Sequence, residues 1–305
     1  MVTLPKGVDI NNLIEDLKNF SWEAAEILLN YSKKMNDFRV KKEVLKSLDL
    51  NNPVTEADLK VNETIINNIR KNYSGIDWDI LSEENVKINS NFSEFNSDWV
   101  WILDPLDGTK DFIQGTGEYA MHLALNYKGR PYIGIVLIPS KNELWIAVGK
   151  KVWCEKKKDK SFKGNLFENT KNLKDMVLVT SKNHKNEVLN NLIKKIGFKK
   201  VINMGSIGCK IASIIRGESD IYISLSLPGK SSPKDWDFAA PEAILKAAGG
   251  AITKLNYQDL FYGKPDFEHP GIIIASNNHL RHKSICLHIK EIIKKYELFP
   301  ITLAP

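Results

Sequence analysis

Two kinds of hydrophobic pattern follow one another along the first half of the chain. Apolar residues recur at the spacing of an amphipathic helix over about residues 10–35 and 54–71. Short apolar runs typical of strands then dominate from Trp78 to Trp153, separated by turn-rich segments. Three of these runs are residues 120–125, 132–138 and 144–148. The pattern predicts two helices followed by a meander of antiparallel strands.

Strand and helix patterns alternate in the second half. The predicted strands are residues 176–180, 200–203, 220–225 and 272–275, and the predicted helices are residues 186–196, 206–216, 238–248 and 277–296. Such alternation favours an α/β arrangement. The charged stretch 155–175 is poor in apolar residues, so it divides the chain into a predicted N-terminal α+β domain, residues 1–170, and a predicted C-terminal α/β domain, residues 171–305.

The composition narrows the class of protein without naming an activity. A chain of 305 residues with 43% hydrophobic content can bury a large core. The formal net charge of +6 favours an anionic ligand, but the basic residues are scattered in short groups, so we expect no nucleic acid partner. The three cysteines, Cys154, Cys209 and Cys286, lie far apart without a Cys-x-x-Cys pair. That spacing argues against a disulfide framework and against a zinc site.

We expect a soluble, cytoplasmic protein with no membrane partner. No apolar stretch approaches the roughly 20 residues that a bilayer requires. The N-terminal residues lack the basic start and apolar block of a signal peptide. His122, inside an apolar run, is predicted to be a core residue.

Candidate chemistry is concentrated in the segment 104–109. Residues 99–103 are apolar and read as a buried strand, which Pro105 is expected to end, so that Asp104 lies at the end of the strand and Asp107 folds back towards it. Carboxylates are preferred ligands of hard divalent cations such as Mg²⁺. Gly108 leaves room for a phosphate, and a helix beginning at Thr109 would direct amide groups towards it. An ordinary Asp-Gly turn is the alternative interpretation.

Other acidic residues follow predicted strands or open predicted helices. Glu83 and Glu84 come directly after an apolar stretch, whereas Asp58 and Asp237 lie near the first turns of helices. Taken singly, the two aspartates are typical helix caps, and the two glutamates are typical solvated residues. Only their combination with residues 104–109 favours a metal site.

The order and spacing of four motifs resemble the lithium-sensitive inositol monophosphatase superfamily. The motifs are residues 53–58, 82–84, 104–109 and 236–240. The similarity runs from about the first helix to near the C-terminus. It implies a layered α-β-α-β-α sandwich with the metal site between the two halves. It also implies a phosphatase that depends on two or three Mg²⁺ ions and is inhibited by lithium.

The resemblance also implies a ligand set. Glu83, Asp104 and the carbonyl of Leu106 correspond to ligands of the first Mg²⁺. Asp104, Asp107 and Asp237 correspond to ligands of the second, so that Asp104 would bridge the two ions.

Catalytic and phosphate-binding roles are carried over in the same way. Thr109, hydrogen-bonded to Asp58, would orient the attacking water and help to remove its proton. A hydroxyl is a poor base alone and becomes useful when a carboxylate takes its proton. Gly108, Thr109 and Ser206 would hold the phosphoryl oxygens.

Details of the second half resemble the 3′(2′),5′-bisphosphate nucleotidase branch of the superfamily. Ser181 and His184 lie in a segment similar to its Ser-x-x-His motif, and Gly205 and Ser206 precede Lys210, which is placed to meet a second phosphate. The implied reaction removes the 3′-phosphate from 3′-phosphoadenosine 5′-phosphate and gives AMP and phosphate, as in sulfur assimilation. His184 can also be an ordinary polar residue at a helix start, and Lys210 can merely coat a helix surface.

Two alternative functions stay open. An inositol monophosphatase or a fructose-1,6-bisphosphatase type of sugar phosphatase would share every metal residue. A non-catalytic, RNA-associated protein would keep only the fold. Relatives commonly dimerise, so a homodimer is also possible for this chain. The polar segment 37–52 is a candidate flap over the metals, and an ordinary solvated turn is equally expected there.

Overall fold

The computed structural model describes residues 2–36, 56–88, 95–156, 159–162, 171–183, 187–227 and 229–298. The candidate flap at residues 37–52 lies outside the described residues. The α-helices are α1 (Ile10–Asn36), α2 (Glu56–Asn72), α3 (Glu83–Ile88), α4 (Thr109–Gln114), α5 (Glu187–Ile196), α6 (Ile207–Ile215), α7 (Asp235–Ala247) and α8 (His279–Lys295). Single 3₁₀ turns occupy Pro139–Lys141 and Leu173–Asp175.

Twelve strands form two sheets in the described part of the chain. The strands are β1 (Asp79–Ser82), β2 (Trp99–Asp107), β3 (Ala120–Tyr127), β4 (Arg130–Ile138), β5 (Glu143–Val148), β6 (Lys151–Lys156), β7 (Asp159–Phe162), β8 (Val177–Ser181), β9 (Lys200–Met204), β10 (Ile221–Ser226), β11 (Ala251–Lys254) and β12 (Gly271–Ser276). Strands β1 to β7 pair in chain order, and β11-β12-β10-β8-β9 form the second sheet.

The first sheet confirms the predicted meander. From β2 to β7 each strand is antiparallel to the next, and only β1 runs parallel to its neighbour β2. In the second sheet β8 is parallel to β9 and β10, whereas β12 is antiparallel to both β10 and β11. Strand β11, which the hydrophobic pattern had not indicated, adds an edge to that sheet.

Successive residues of β2 show why the first sheet is covered on both faces. Trp101 and Leu103 pack into a hydrophobic cluster with helices α1 and α2. Val100 and Ile102 point the other way, into a cluster that contains residues of α6 and α7 and of the second sheet. Because strand side chains alternate between faces, an unbroken apolar run produces a strand that is buried on both sides.

A third hydrophobic cluster completes the layers. It joins the outer face of the second sheet to α5 and α8, for example through Leu178, Leu192 and Ile289. The order is therefore α1 and α2, first sheet, α6 and α7, second sheet, α5 and α8, which confirms the predicted layered sandwich. The division of the chain into domains at residue 170 stays a prediction.

Helix α7 is held close to the first sheet. It packs against β3 and β4, and a methyl group added at Gly134 of β4 would collide with the Cβ of Ala243 and lie 2.8 Å from the carbonyl oxygen of Ala240. The missing side chain lets the helix lie directly on the strand. This close approach fixes the height of α7, whose first turn carries Asp237, above the sheet.

The prediction that Pro105 ends the strand after Asp104 was wrong. Strand β2 continues to Asp107, and its pairing with β3 is irregular between Asp104 and Asp107. A proline lacks only its own N–H, so a strand can pass through it where the ladder is bulged. The reversal of the chain comes after Asp107.

The three cysteines are buried. Burial raises the pKa of the Cys154, Cys209 and Cys286 thiols to about 12 in each case. His122 is also fully buried, as predicted for a core residue. Among the residues that the structure describes, no helix combines the length and apolar character needed to cross a membrane.

Candidate active site

Two carboxylates come from the bulged end of β2. Asp104 is almost completely buried, and its Oδ1 accepts a hydrogen bond from the amide of Leu106 at 3.0 Å. This hydrogen bond spans Pro105 and lies within the bulge between the two aspartates. Asp107, only partly buried, is the last residue of the strand.

Asp237 reaches the same place from the other side of the site. It lies in the first turn of α7, where its Oδ2 accepts a hydrogen bond from the amide of Lys234 at 2.6 Å. One carboxylate oxygen from each of Asp104, Asp107 and Asp237 lies within 4.8 Å of the others. The structure thus brings together the three residues predicted as ligands of one cation, and hard oxygen donors at this spacing suit a divalent ion.

Strand β1 delivers a further carboxylate. Ser82 is paired with Leu103 in the parallel register, so Glu83 follows directly beside Asp104. Lys87, one turn further along α3, approaches Glu83 at 2.9 Å and the buried Glu84 at 2.7 Å. The interpretation of Glu84 as a solvated residue was therefore wrong, because Glu84 is only 2% exposed.

The charges of this group are poorly compensated. Burial raises the pKa of Asp104 well above its usual range, and the carboxylates of Glu83, Asp107, Asp237 and Asp58 raise it further. Burial, with Asp107 next, likewise raises the pKa of Asp237. Burial also raises the pKa of Glu83, against the opposing effect of Lys87. So much negative charge in a buried place fits a bound divalent cation, which would neutralise it.

The backbone after Asp107 opens the site. Gly108 has φ +90°, and a Cβ there would lie 2.8 Å from the carbonyl oxygen of Glu118. Helix α4 begins at Thr109, as predicted. The Thr109 hydroxyl donates to the carbonyl of Leu106 at 3.1 Å. Its expected hydrogen bond to Asp58 stays a prediction, although Asp58 is close enough to affect the pKa of Asp104.

Asp107 is held by the start of α6. Its Oδ2 accepts hydrogen bonds from the Ser206 hydroxyl at 2.6 Å, from the amide of Ile207, and from the amide of Gly208 at 3.3 Å. A carboxylate at a helix N-terminus is favoured by the amide groups and by the helix dipole. The Ser206 hydroxyl therefore contacts a carboxylate here, and its predicted contact with phosphate stays a prediction.

A cavity of about 650 Å³ opens over these residues. Its lining includes Ser181, Gly205 and Lys210 from the predicted substrate pocket. Lys210 is 3% exposed, so the interpretation that it coats a helix surface was wrong. Its ammonium group donates to the carbonyl of Gly205 and lies 5.6 Å from the centre of the Tyr222 ring. Burial lowers the pKa of Lys210, whereas the nearby Asp107 raises it.

The sequence predicted one further residue of this pocket, His184, and missed another beside it, Asp111. His184 lies outside the described residues. Asp111, fully buried in α4, accepts hydrogen bonds from Lys182 at 3.1 Å and from Asn183 at 2.6 Å, and so ties the helix after Gly108 to the loop after β8. The only signal in the sequence was an acidic residue in the first turn of a predicted helix, which does not identify a partner 71 residues away.

Comparison with known proteins agrees with this geometry. A family model described as the inositol monophosphatase family matches residues 9–294. The 3′(2′),5′-bisphosphate nucleotidase CysQ of Buchnera aphidicola is 34% identical over 217 residues, which cover 70% of this chain and 75% of that protein. The Nus factor SuhB of Pasteurella multocida is 32% identical over 218 residues, which cover 68% of this chain and 73% of that protein.

A solved structure shows the same fold. An IMPase from Thermotoga maritima superposes with a TM-score of 0.68 over 94% of this chain and 99% of its own, at 23% sequence identity.

Proposed function

This chain belongs to the inositol monophosphatase family and is a phosphatase of that family, and from this premise we propose that it removes the 3′-phosphate of 3′-phosphoadenosine 5′-phosphate to give AMP and phosphate. The proposed cofactor is Mg²⁺. The observation that carries the proposal is the position of Lys210, a buried cation that lines the same cavity as Asp107 and Asp237. A buried lysine beside a metal site is suited to bind the second phosphate of such a substrate.

The fit of the metal site is a matter of donor chemistry. Asp104, Asp107 and Asp237 would hold one divalent cation, and Glu83 with Asp104 and the Leu106 carbonyl would hold another. A divalent cation bound there supplies polarisation of the phosphoryl group and a lower pKa for water. Burial and the neighbouring carboxylates leave the pKa values of Glu83 and Asp237 raised, although Lys87 lowers that of Glu83 and Lys210 lowers that of Asp237.

The residues of the chain would then divide the remaining work. Thr109 would orient the attacking water, and Asp58 would receive the proton through the Thr109 hydroxyl. The open backbone at Gly108 would admit the phosphoryl group beside the first amides of α4. Lys210 would bind the second phosphate, with Ser181 and His184 on the nucleotide side of the cavity.

The choice of a nucleotide is supported by a relative, the Buchnera nucleotidase at 34% identity. The relative named Nus factor SuhB, at 32% identity, does not carry the nucleotidase name. A sugar phosphatase, which would use the same metal residues, is therefore kept as the second candidate. A protein that had lost catalysis and kept only the fold would not need this complete set of carboxylates. Lithium inhibition, a role in sulfur metabolism and a cytoplasmic location belong to the same proposal.

The test is phosphate release in Mg²⁺ from 3′-phosphoadenosine 5′-phosphate, inositol 1-phosphate and fructose 1,6-bisphosphate, each with and without lithium. We expect the largest kcat/KM for the nucleotide. A larger kcat/KM for inositol 1-phosphate or fructose 1,6-bisphosphate would reject the nucleotide and leave the metal site unaffected.

The variant Lys210→Met tests the role of the cation separately, because methionine keeps most of the apolar stem and removes the charge. We expect KM for 3′-phosphoadenosine 5′-phosphate to rise about 10-fold or more, as for a lost charge-assisted contact of about 1.5–3 kcal/mol. A monophosphate such as inositol 1-phosphate should be affected much less. Equal effects on both substrates would argue that Lys210 only supports the fold.

A further inference from the structure

His122 is a buried histidine that faces two parts of the metal site. It lies in β3 directly opposite Asp104 of β2. Its Nε2 is 3.3 Å from Oδ2 of Asp107, and its Nδ1 is 3.3 Å from the carbonyl oxygen of Trp236, the residue before Asp237. One side chain therefore contacts the carboxylate of one proposed ligand and the backbone next to another.

The surrounding structure leaves space for this ring. A Cβ added at Gly208, in the first turn of α6, would collide with Nε2 of His122 and lie 2.8 Å from Val136. Gly208 also donates its amide to Oδ2 of Asp107. The imidazole thus lies where β2, α6 and α7 meet, the three elements that carry or hold Asp107 and Asp237.

The hydrogen-bonding capacity of the ring is incompletely used. Both atoms that face it, the Asp107 carboxylate oxygen and the Trp236 carbonyl oxygen, are acceptors. A neutral imidazole has one N–H and can donate to only one of them. Nε2 is buried and, within the described residues, makes no hydrogen bond of normal geometry. A buried polar nitrogen at this place indicates a role beyond packing.

Four groups converge on one carboxylate oxygen of Asp107. The Ser206 hydroxyl and the amides of Ile207 and Gly208 donate to Oδ2, and Nε2 of His122 lies 3.3 Å from the same oxygen. Contacts to one oxygen from several directions fix the orientation of the Asp107 carboxylate. Groups that hydrogen-bond to metal ligands commonly change metal affinity or activity by about 10–100-fold when they are removed.

We propose that His122 is a positioning residue that fixes the carboxylate of Asp107 relative to Asp237 and thereby sets the affinity of the site for a divalent cation. The inference rests on the proposed function, because it takes Asp107 and Asp237 as ligands. It adds a residue from β3, which supplies none of the proposed ligands.

The test measures binding of Mn²⁺ to the full-length protein by electron paramagnetic resonance, without substrate. His122→Phe keeps a ring of similar size and removes both nitrogens. We expect it to weaken Mn²⁺ binding about 10–100-fold. His282→Phe is the matched control, since His282 is also buried but bonds to Thr253 and Ser276 in the second sheet. We expect the control to bind Mn²⁺ like the parent protein.

Two further variants keep the test decisive if His122→Phe does not fold. The amide nitrogen of His122→Gln can take the place of Nε2 beside Asp107, whereas that of His122→Asn can take the place of Nδ1 beside Trp236. We expect glutamine to preserve more of the Mn²⁺ affinity than asparagine. Equal affinity in the two, or a folded His122→Phe that binds like the parent, would overturn the inference. A parent protein that binds no Mn²⁺ would instead overturn the proposed metal site.

Discussion

Asp104 is the residue whose charge is hardest to accommodate without a cation. It is 1% exposed and surrounded by the carboxylates of Glu83, Asp107, Asp237 and Asp58, which together with burial raise its pKa. Such a site favours binding of a cation over stability of the empty protein. Function and stability therefore make opposite demands on this one side chain.

The variant Asp104→Asn separates those demands. We expect it to abolish phosphate release, because an amide replaces the carboxylate shared by the proposed metal ions. We also expect its melting temperature in a chelator to equal or exceed that of the parent, since one repelling charge is gone. Melting curves and phosphate release on the same preparation check both outcomes. A folded variant with normal turnover would contradict the ligand assignment.

His282 gives a residue-scale prediction far from the site. It is held neutral between the hydroxyls of Thr253 and Ser276, and burial lowers its pKa from 6.5 to about 4. Between these values the unfolded chain takes up a proton that the folded protein does not. The titration of His282 therefore leaves the free energy of unfolding unchanged above about pH 6.5 and lowers it progressively as the pH falls towards 4.

At pH 5 this loss amounts to about 2 kcal/mol in the free energy of unfolding. Urea unfolding at pH 7.5 and pH 5 measures it, with His282→Gln as the comparison because glutamine does not titrate. We expect the difference between the two pH values to be about 2 kcal/mol smaller in the variant. An unchanged difference would mean that His282 titrates normally in the folded protein.

At the scale of elements, helix α7 and strand β4 depend on each other. The helix carries Asp237 and lies directly on Gly134, where a Cβ would collide with Ala243 and crowd Ala240. The position of Asp237, a proposed ligand, thus depends on Gly134 in the first sheet.

We expect Gly134→Ala to destabilise the protein by about 1–3 kcal/mol, as for overpacking in a core, and to weaken cation binding by shifting α7. Gly75→Ala is the control, because no heavy atom lies within 4 Å of a Cβ at that position; its effect should stay within about 0.5 kcal/mol. Denaturant unfolding and Mn²⁺ titration measure the two effects. Normal cation affinity in a destabilised Gly134→Ala would show that α7 tolerates the shift.

The hydrophobic pattern was sufficient to predict the meander and the alternating second half. Each strand or helix that is buried on one or both faces carries apolar residues at the spacing of that element, so its own sequence reveals it. It failed at Pro105, where the bulge depends on pairing with β3, and at β11, whose four residues form a strand only beside β12. The carboxylates were found through motif order. Their partners were not: the contacts of Asp107 with Ser206 and His122 depend on tertiary packing that no local pattern encodes.

At the scale of the whole molecule, the proposed cation would join distant parts of the chain. Asp104 and Asp107 end a strand of the first sheet, and Asp237 begins a helix that packs between the sheets. In the unfolded chain Asp237 is far from Asp104 and Asp107, so a cation that binds all three binds the folded state preferentially.

Divalent cations should therefore raise the melting temperature. At a free Mg²⁺ concentration 100 times Kd, preferential binding adds about 2.7 kcal/mol to the free energy of unfolding. We expect the shift in parent protein and not in Asp104→Asn. Thermal melts in a chelator, in Mg²⁺ and in a matched concentration of Na⁺ supply the comparison. A melting temperature independent of Mg²⁺ would speak against a site assembled from these segments.

The buried thiols can report on local opening of the folded protein. A thiol reagent attacks the thiolate, and at neutral pH the folded protein offers almost none at Cys209 of α6 or Cys286 of α8. Labelling of a buried thiol then requires a local opening of the structure. The labelling rate of each cysteine reports how often the layer around that cysteine opens. Cys209 reports on the layer beside the acidic cluster and Cys286 on the outermost layer. The labelling rates of these native cysteines therefore measure local opening around the site without an engineered cysteine.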